Sequence, residues 1–291
     1  MPSRFYLRPG MNTYHRNIAD YYNITRSAYA DGWELNKTFA LHYGYKDATT
    51  KNFAGTLLRM NEVLMHAANI TAADHVLDAG CGIGGSSIYL AEHSGCRCTG
   101  ITLSEKQHAE AVMLAEKRGL SDKLSFDIRN YMHTGFPDGQ FTVVWGLESI
   151  CYADDKAAFV REAYRLLQPG GRLIIADGMV TEFKNNEHTV IRNWLNGWQV
   201  NYLESPERFK EFFSAAGFKN IQYTDITRHT RASSRRLLAL YYGATLWKWW
   251  KKLFGRYKWT PMQEANIKAC YYQRKGMRKG LWGYGMIVGT K

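Results

Sequence analysis

The sequence predicts an α/β fold built on a mostly parallel sheet of seven strands. From residue 75 onward, short apolar runs that are typical of buried strands alternate with helical patterns. Such alternation favours right-handed β-α-β units, in which a helix carries the chain from one parallel strand to the next. The strand-like runs are 75–79, 97–102, 124–128, 140–146, 171–177, 220–226 and 283–289, and helical stretches separate them at 87–94, 104–118, 156–168 and 206–216.

The residues before the first strand predict a helical segment that is unusually rich in rings. Residues 11–70 show helical patterns, and aromatic residues at helical spacing usually belong to a core. The density of polar-tipped rings also suits a lid over an apolar pocket. These rings are Tyr21, Tyr22, Tyr29, Trp33, His42, Tyr43 and Tyr45.

A glycine-rich turn follows the first strand-like run. The run ends in Asp78, and glycines occupy positions 80, 82, 84 and 85 before a helical stretch begins. Strand, glycine turn and helix let a nucleotide-like ligand lie against backbone N–H groups. A carboxylate at Asp78 would repel a pyrophosphate, but it suits an ammonium and a sulfonium, which favours S-adenosylmethionine over NAD. A tight turn that binds nothing is the alternative, although four glycines carry a high cost in chain entropy.

Two blocks interrupt the alternation, at 181–205 and 228–280, and insertions at strand ends are where open α/β sheets build substrate sites. The predicted organisation is an N-terminal helical lid (1–70), a cofactor-binding core (71–227, with 181–205 as a cap insertion), a basic helical insertion (228–280) and a final strand (281–291).

Charge is concentrated towards the C-terminal end of the sequence. Residues 228–291 contain 15 lysines and arginines and one acid, Glu264, whereas the rest of the chain is close to neutral. Such a region can attract a phosphorylated substrate or make weak contact with an anionic membrane surface. No nucleic-acid-binding module is recognisable, so nucleic acid is not an expected partner.

Composition indicates a globular protein with reduced cysteines. The chain is 45% hydrophobic and 22% charged, and no run reaches 18 apolar residues. The five cysteines form neither a CxxC pair nor a zinc-like set. We therefore expect a cytoplasmic protein without a transmembrane segment and without a resident metal.

Several motifs resemble those of class I S-adenosylmethionine-dependent methyltransferases. They are VLDAGCGIGGSS (76–87), GITLSEKQ (100–107), FPDGQFTVVWGLES (136–149), LLQPGGRLIIADG (166–178) and WGYGMIVGTK (282–291). More narrowly, the chain is similar to the tocopherol, sterol and prenyl diphosphate C-methyltransferases. YYNITRSAYADGW (21–33) resembles the tyrosine-rich substrate segment of the sterol enzymes. The resemblance implies a Rossmann-like α/β fold with a seven-stranded, mostly parallel sheet and a helical cap.

The resemblance also implies a cofactor site. Gly80, Gly82 and Gly84 would line the turn above Asp78. The second strand lacks the acid that often binds the ribose, and relatives with GITLS use the positions of Thr102, Leu103 and Gln107 instead. Gln107 could equally be a solvated helix residue. The adenine segment would be Asn130 and Tyr131.

Two residues are candidates for proton transfer. In geranyl diphosphate C-methyltransferases a glutamate in a Glu-Ser-Ser setting is the base, and Glu148-Ser149 resembles that setting. The alternative is that Glu148 shapes the methionine pocket. His188 is a weaker candidate for a second proton acceptor.

The predicted substrate site combines rings and cations. Trp194, Trp198 and Tyr202 are spaced by four, which predicts one helix face and a wall that stabilises a carbocation. Arginine suits a diphosphate better than lysine, and Mg²⁺ would accompany a diphosphate substrate. The predicted substrate residues are Tyr22, Trp33, His42, Tyr45, Tyr152, Arg192, Trp194, Trp198 and Tyr202.

The resemblance therefore implies C-methylation of an isoprenoid double bond, with farnesyl diphosphate as the first candidate substrate and with cation-driven cyclisation, as in homosesquiterpene biosynthesis. One alternative is C-methylation of a sterol or tocopherol-like compound. Another is N-methylation of a small amine, which predicts acids rather than arginines in the pocket. A third is a protein that binds the cofactor only as a sensor.

Overall fold

The computed structural model describes residues 13–14, 17–18, 21, 33–255 and 259–291. The strands are β1 (His75–Ala79), β2 (Arg97–Thr102), β3 (Leu124–Ile128), β4 (Phe141–Leu147), β5 (Leu167–Val180), β6 (Lys219–Asp225) and β7 (Trp282–Thr290). The helices are α1 (Leu35–Thr38), α2 (Phe53–Ala67), α3 (Gly85–Ser94), α4 (Glu105–Lys117), α5 (Lys156–Leu166), α6 (Thr189–Gly197), α7 (Pro206–Ala216), α8 (Thr227–Leu253) and α9 (Pro261–Arg278). Short 3₁₀ turns occur at Ile150–Tyr152 and Phe183–Glu187.

One seven-stranded sheet confirms the predicted fold. Its strand order is β3-β2-β1-β4-β5-β7-β6, and β7 runs antiparallel to both of its neighbours. From β1 the chain proceeds outward through β2 and β3, then crosses back to β4 on the other side of β1. The carboxyl ends of β1 and β4 therefore form the point where strand order reverses, which is where open α/β sheets bind ligands.

Two hydrophobic cores cover the two faces of this sheet. Successive side chains of a strand point to opposite faces, so Val144 joins one core while Val143 and Trp145 join the other. The core of Trp145 includes residues of α2, α3 and α4 together with the cap helices α6, α8 and α9. Helices α5 and α7 contribute to the opposite core. The cap helices α6, α8 and α9 therefore add to the helical layer on only one face of the sheet.

The prediction of helices throughout 11–70 is wrong for the stretch from Phe39 to Asn52, which lies between α1 and α2. Phe39 follows α1 with a φ of 55°, a left-handed conformation that ends the helix. The backbone then bonds to other elements, since Gly44 N donates to Ser233 Oγ at 2.8 Å and Tyr45 N donates to Thr56 O at 2.8 Å. An extended segment is therefore held between α2 and α8.

Candidate active site

The turn after β1 brings backbone close to the carboxyl end of β4. Gly80, Gly82 and Gly84 have φ values of 90°, 57° and 83°, which glycine adopts without steric cost. A Cβ at Gly80 would lie 2.5 Å from Cβ of Ser149, the second residue after β4. The hydroxyl of Ser149 donates to the carbonyl oxygen of Ala79. The missing side chain at Gly80 therefore allows the two strand ends to touch.

Replacing Gly80 with alanine should weaken cofactor binding about tenfold and lower Tm, because the new methyl group collides with Ser149 and is strained at this φ. Gly119 is a matched control: its φ is 65°, but nothing lies within 4 Å of a Cβ added there. Gly119→Ala should therefore show only the effect of backbone strain, a lower Tm, and calorimetry should give an unchanged affinity for the cofactor. Equal loss of affinity in both variants would contradict the role assigned to the close approach.

Asp78 places a buried carboxylate beneath this turn. Only 3% of the residue is exposed, and its Oδ2 accepts a hydrogen bond of 2.6 Å from Ser87 Oγ. Burial raises the pKa of Asp78 to about 6, and the Ser87 hydrogen bonds offset part of this rise. Within the described ranges the carboxylate makes no ion pair. A cation bound in the adjoining cleft would therefore stabilise its ionised form.

A cleft of about 910 Å³, open to solvent, lies over the turn. We call it the cofactor cleft, after the ligand that the sequence analysis predicts at this turn. Thr102 Oγ1 donates to Gln107 Oε1 at 2.9 Å, which leaves the amide Nε2 of Gln107 facing Gly82 as a donor. Of the predicted cofactor residues, those that line the cleft are Asp78, Gly80, Gly82, Thr102, Leu103, Gln107 and Tyr131.

Two predicted cofactor residues lie outside the cleft wall. Gly84 packs under β3, where a Cβ would lie 2.9 Å from the ring of Phe126. Asn130 Oδ1 accepts a hydrogen bond of 2.9 Å from Met132 N and so stabilises its own turn. Tyr131, next in sequence, does reach the cleft and donates to the Ser149 carbonyl oxygen at 2.9 Å. The structure thus brings together seven of the nine predicted cofactor residues.

His42 contributes an uncharged imidazole to the cleft. Its Nδ1 lies 2.9 Å from the carbonyl oxygen of Tyr43, which can only accept, so Nδ1 carries the proton. Its Nε2 lies 3.4 Å from Nδ2 of Asn61. Burial lowers the pKa of His42 to about 4. The ring is therefore neutral at physiological pH and contributes shape and polarity to the wall.

Glu148 lies between the cleft and a second cavity and lines both. It follows β4 with a φ of 49°, which is uncommon for a residue with a side chain. Its Oε1 accepts hydrogen bonds from Tyr43 N and from Tyr284 Oη, the latter at 2.6 Å. Burial raises the pKa of Glu148 to about 8, against the opposing effect of these two donors.

The second cavity is walled by rings, and we call it the ring cavity; its space of about 680 Å³ includes a part that is open to solvent. The Trp194 ring lies 4.3 Å from Trp282 and 5.6 Å from Trp198, centroid to centroid. No lysine or arginine of the described chain lines this cavity. Its aromatic residues are Trp33, Tyr43, Tyr152, Trp194, Trp198, Trp282 and Tyr284.

Asp177 supplies a second carboxylate to the ring cavity, and sequence analysis missed it. It follows Ala176 within β5, and Ala176 pairs with Leu147, so Asp177 lies beside Glu148, the first residue after β4. Burial raises the pKa of Asp177 to about 6, although Cys151 N and Gly178 N each donate to it at 2.8 Å. An acid at the end of a predicted strand beside β4 was the available signal.

The predicted wall of Trp194, Trp198 and Tyr202 on one helix face is wrong. Helix α6 ends at Gly197, because Gln199 adopts a φ of 57°. Trp194 and Trp198 still meet in the ring cavity, but Tyr202 lies outside it. Its hydroxyl donates to Asp154 O at 3.3 Å.

Three other predicted residues are also outside both cavities. His188 is the N-cap of α6, and its Nδ1 accepts from Val190 N at 3.1 Å, so that nitrogen is already engaged. Arg192 is exposed and lies 3.8 Å from Glu187. Tyr45 stacks on His229 with 4.0 Å between centroids. Tyr22 lies outside the described residues.

The fold and the cofactor cleft define a class I S-adenosylmethionine-dependent methyltransferase. The model of the family "Methyltransferase domain" matches residues 77–175. A probable chloroplastic tocopherol O-methyltransferase of Oryza sativa subsp. japonica is 30% identical over 275 residues, covering 89% of this chain and 74% of the relative. The chain therefore belongs to the family of S-adenosylmethionine-dependent methyltransferases.

One further related sequence and one solved structure are similar to this chain. A sterol 24-C-methyltransferase of Eremothecium gossypii is 33% identical over 169 residues, covering 58% of this chain and 44% of that protein. The chain therefore spans less than half of its length. Geranyl diphosphate C-methyltransferase from Streptomyces coelicolor A3(2) has a similar fold, with a TM-score of 0.75, 20% identity and coverage of 98% and 99%.

Proposed function

We propose that this methyltransferase adds a methyl group to a carbon–carbon double bond of an isoprenoid. The observation that carries the proposal is the position of Glu148, which contributes to both the cofactor cleft and the ring cavity. When bound, S-adenosylmethionine supplies an electrophilic methyl group on sulfur. Methylation of a trisubstituted alkene leaves a tertiary carbocation in the substrate, and that charge must be stabilised until a proton is lost.

The rings of the second cavity suit this cation. An aromatic face stabilises a nearby cation by about 0.5–2 kcal/mol, with the larger values in dry sites. Seven rings surround the ring cavity, and no basic side chain of the described residues lines it. The same rings would stabilise a cyclised cation, so the proposal includes ring closure before deprotonation.

Glu148 is the proposed base. Positive charge in the ring cavity favours the ionised carboxylate and lowers its pKa from about 8. Tyr43 N and Tyr284 Oη hold Oε1, whereas Oε2 accepts no hydrogen bond from the described residues. The carboxylate takes a proton from a carbon next to the cation, and the electrons of that C–H bond form the new double bond.

Farnesyl diphosphate remains the first candidate substrate. Its head group would lie beyond the rings, where four neighbouring arginines without acidic partners among the described residues could bind it. Burial lowers the pKa of Arg274, and so do the guanidinium groups of three neighbouring arginines. Arg274 also interacts electrostatically with Tyr43 of the ring cavity. The four arginines are Arg231, Arg235, Arg274 and Arg278. Mg²⁺ would accompany the diphosphate as its counter-ion, since this cation binds substrate phosphates.

The two carboxylates of the ring cavity favour a second candidate, N-methylation of an amine. Glu148 and Asp177 among aromatic rings, without arginine, would also suit an ammonium ion. In that reaction Glu148 would accept the ammonium proton and so free the nitrogen lone pair.

Incubation with methyl-labelled S-adenosylmethionine separates these candidates. The panel contains geranyl, farnesyl and geranylgeranyl diphosphates, a sterol, a tocopherol precursor and simple amines, with products identified by mass spectrometry. We expect a carbon-bound methyl group on a prenyl diphosphate. Labelling of amines alone, or of the sterol or tocopherol precursor alone, would contradict the prenyl diphosphate assignment.

Trp198→Leu should lower turnover about tenfold, because an aromatic face worth about 1–2 kcal/mol to a desolvated cation is lost. Trp198→Phe should recover most of the activity, since it restores a ring. Cofactor affinity should be unchanged in both variants. Equal losses for leucine and phenylalanine in steady-state assays would assign the effect to packing and not to the ring.

A further inference from the structure

The C-terminal half of α8 exposes a continuous apolar face. Five large side chains follow the spacing i, i+4, i+7, i+8 and i+11, which places them on one side of a helix. Surface helices usually turn such a stripe towards the core, but here each residue is about half or more exposed. The apolar face comprises Tyr242 (58%), Leu246 (68%), Trp249 (64%), Trp250 (47%) and Leu253 (66%).

The opposite side of α8 fixes this orientation. Lys248 Nζ lies 2.8 Å from a carboxylate oxygen of Glu264 on α9. The Tyr241 ring lies 5.4 Å from the Tyr271 ring of the same helix. Because these contacts hold one side of α8 against α9, the apolar face stays turned away from the protein.

Cationic side chains accompany the apolar face. The ammonium of Lys251 lies 5.1 Å from the centroid of the Trp247 ring and 5.5 Å from that of Trp250. Lys252 is exposed, and Arg256 and Lys258 follow in the sequence. Tryptophan, tyrosine and lysine with this arrangement suit the boundary between lipid headgroups and acyl chains, where rings enter the apolar layer and ammonium groups meet phosphates.

We propose that the apolar face of α8 docks the enzyme on an anionic lipid bilayer, with the helix lying in the plane of the surface. None of the helices in the described ranges is long and apolar enough to cross a membrane. A second copy of the chain fits this face less well, because it would bring the same excess of lysines and arginines towards this surface. Anionic phosphates instead complement the charge of residues 228–291.

The ring cavity lies along the same helix, since Leu237 of α8 lines that cavity five residues before Tyr242. Lipid binding itself is independent of the proposed function, because the face that carries it contains no residue of either cavity. If the substrate assignment fails, the result of the vesicle-binding experiment still stands. If vesicle binding fails, the substrate assignment still stands.

Co-sedimentation with vesicles tests the docking surface. The full chain is mixed with vesicles of phosphatidylcholine containing 30% phosphatidylglycerol, or of phosphatidylcholine alone. The test variant is Leu246→Gln with Leu253→Gln. The matched control is Leu58→Gln with Met113→Gln, which removes two aliphatic side chains that are 40% and 41% exposed on α2 and α4. A third variant, Lys251→Glu with Lys252→Glu, tests the charge.

We expect wild type and the matched control to bind the anionic vesicles more than tenfold better than pure phosphatidylcholine. The leucine and lysine variants should each lose at least tenfold in partitioning, with Tm and methyl transfer in detergent unchanged. The proposal is overturned if wild type does not bind the anionic vesicles or binds both kinds of vesicle equally. It is also overturned if the test variant Leu246→Gln/Leu253→Gln and the matched control lose binding to the same extent. Light scattering that shows a wild-type dimer and a monomeric Leu246→Gln/Leu253→Gln variant would assign the face to self-association instead.

Discussion

Glu148→Gln is expected to lower turnover about 10²-fold or more, with little change in the affinity for S-adenosylmethionine. A glutamine oxygen still accepts from Tyr43 N and Tyr284 Oη, so the wall between the two cavities keeps its shape. The amide, however, cannot take a proton from the substrate cation. Transfer of a labelled methyl group gives the turnover, and calorimetry gives the cofactor affinity.

Glu204→Gln is the matched control for a buried glutamate. Glu204 is 1% exposed, lies 2.7 Å from Arg208 Nε and lines neither cavity. Its replacement should lower stability without lowering turnover per folded molecule. Wild-type turnover in Glu148→Gln would exclude Glu148 as the base. A loss of cofactor affinity that matches the loss of turnover would instead assign it to the methionine pocket.

The pKa of Glu148 also predicts how stability depends on pH. Its folded-state pKa of about 8 lies above the ordinary value of 4.5, so between these values the folded protein holds a proton that the unfolded chain releases. The contribution of Glu148 to the free energy of unfolding is therefore complete below pH 4.5. It is lost as the pH rises towards 8, by up to about 1.4 kcal/mol per pH unit. In denaturant titrations without ligand, Glu148→Gln should become more stable relative to wild type over this range. A constant difference would contradict the raised pKa.

Asp78→Asn is expected to weaken cofactor binding about 10²-fold, because truncating one partner of a buried charge pair costs about 2–5 kcal/mol. The buried carboxylate is expected to face the positive charge of the bound cofactor, and an amide of the same shape removes that attraction. Calorimetry with S-adenosylmethionine measures the change. An affinity within twofold of wild type would contradict the placement of the cofactor beside this turn.

Asp74→Asn controls for the loss of a buried aspartate near the same strand. Asp74 precedes β1 at its opposite end and pairs with Arg172 at 2.9 Å, so its replacement should lower stability and leave affinity unchanged. The pH dependence gives a second readout. Because the cofactor favours ionised Asp78, wild-type affinity should rise with pH up to about 6 and then level. Asp78→Asn should lack this rise.

Much of the sheet could be predicted from the sequence, since its signals are local. Apolar runs placed every strand within a few residues of its observed bounds, as with 97–102 and β2. The cofactor cleft is similarly local, because the turn after β1 and the segment after β2 each form from consecutive residues. Gly84 and Asn130 show the limit of this method: a motif gives the position of a residue in the chain and not the direction of its side chain.

The ring cavity could not be predicted in the same way, because its walls come from distant segments. Tyr43 lies on an extended segment, Trp194 on a cap helix, and Trp282 and Tyr284 on the last strand, and no sequence spacing relates these three segments. Helical spacing gave the wrong position for Tyr202, because the left-handed conformation of Gln199 ends α6 before that residue. Sequence reasoning finds the rings in such a cap, but packing selects which of them face the cavity.

Placement of β7 between β5 and β6 has a consequence for the order of assembly. Strand β6 pairs only with β7 in the sheet, and 56 residues separate the two strands, so closing that loop costs on the order of 4 kcal/mol before its helices form. Pairings of such long range are slow to form. The neighbouring β1 and β4 ends need no part of β7, whereas Glu148 gains its Tyr284 donor only once β7 is in place. A folding molecule should therefore be able to hold its methyl donor before the hydrogen bonds of Glu148, the proposed base, are complete.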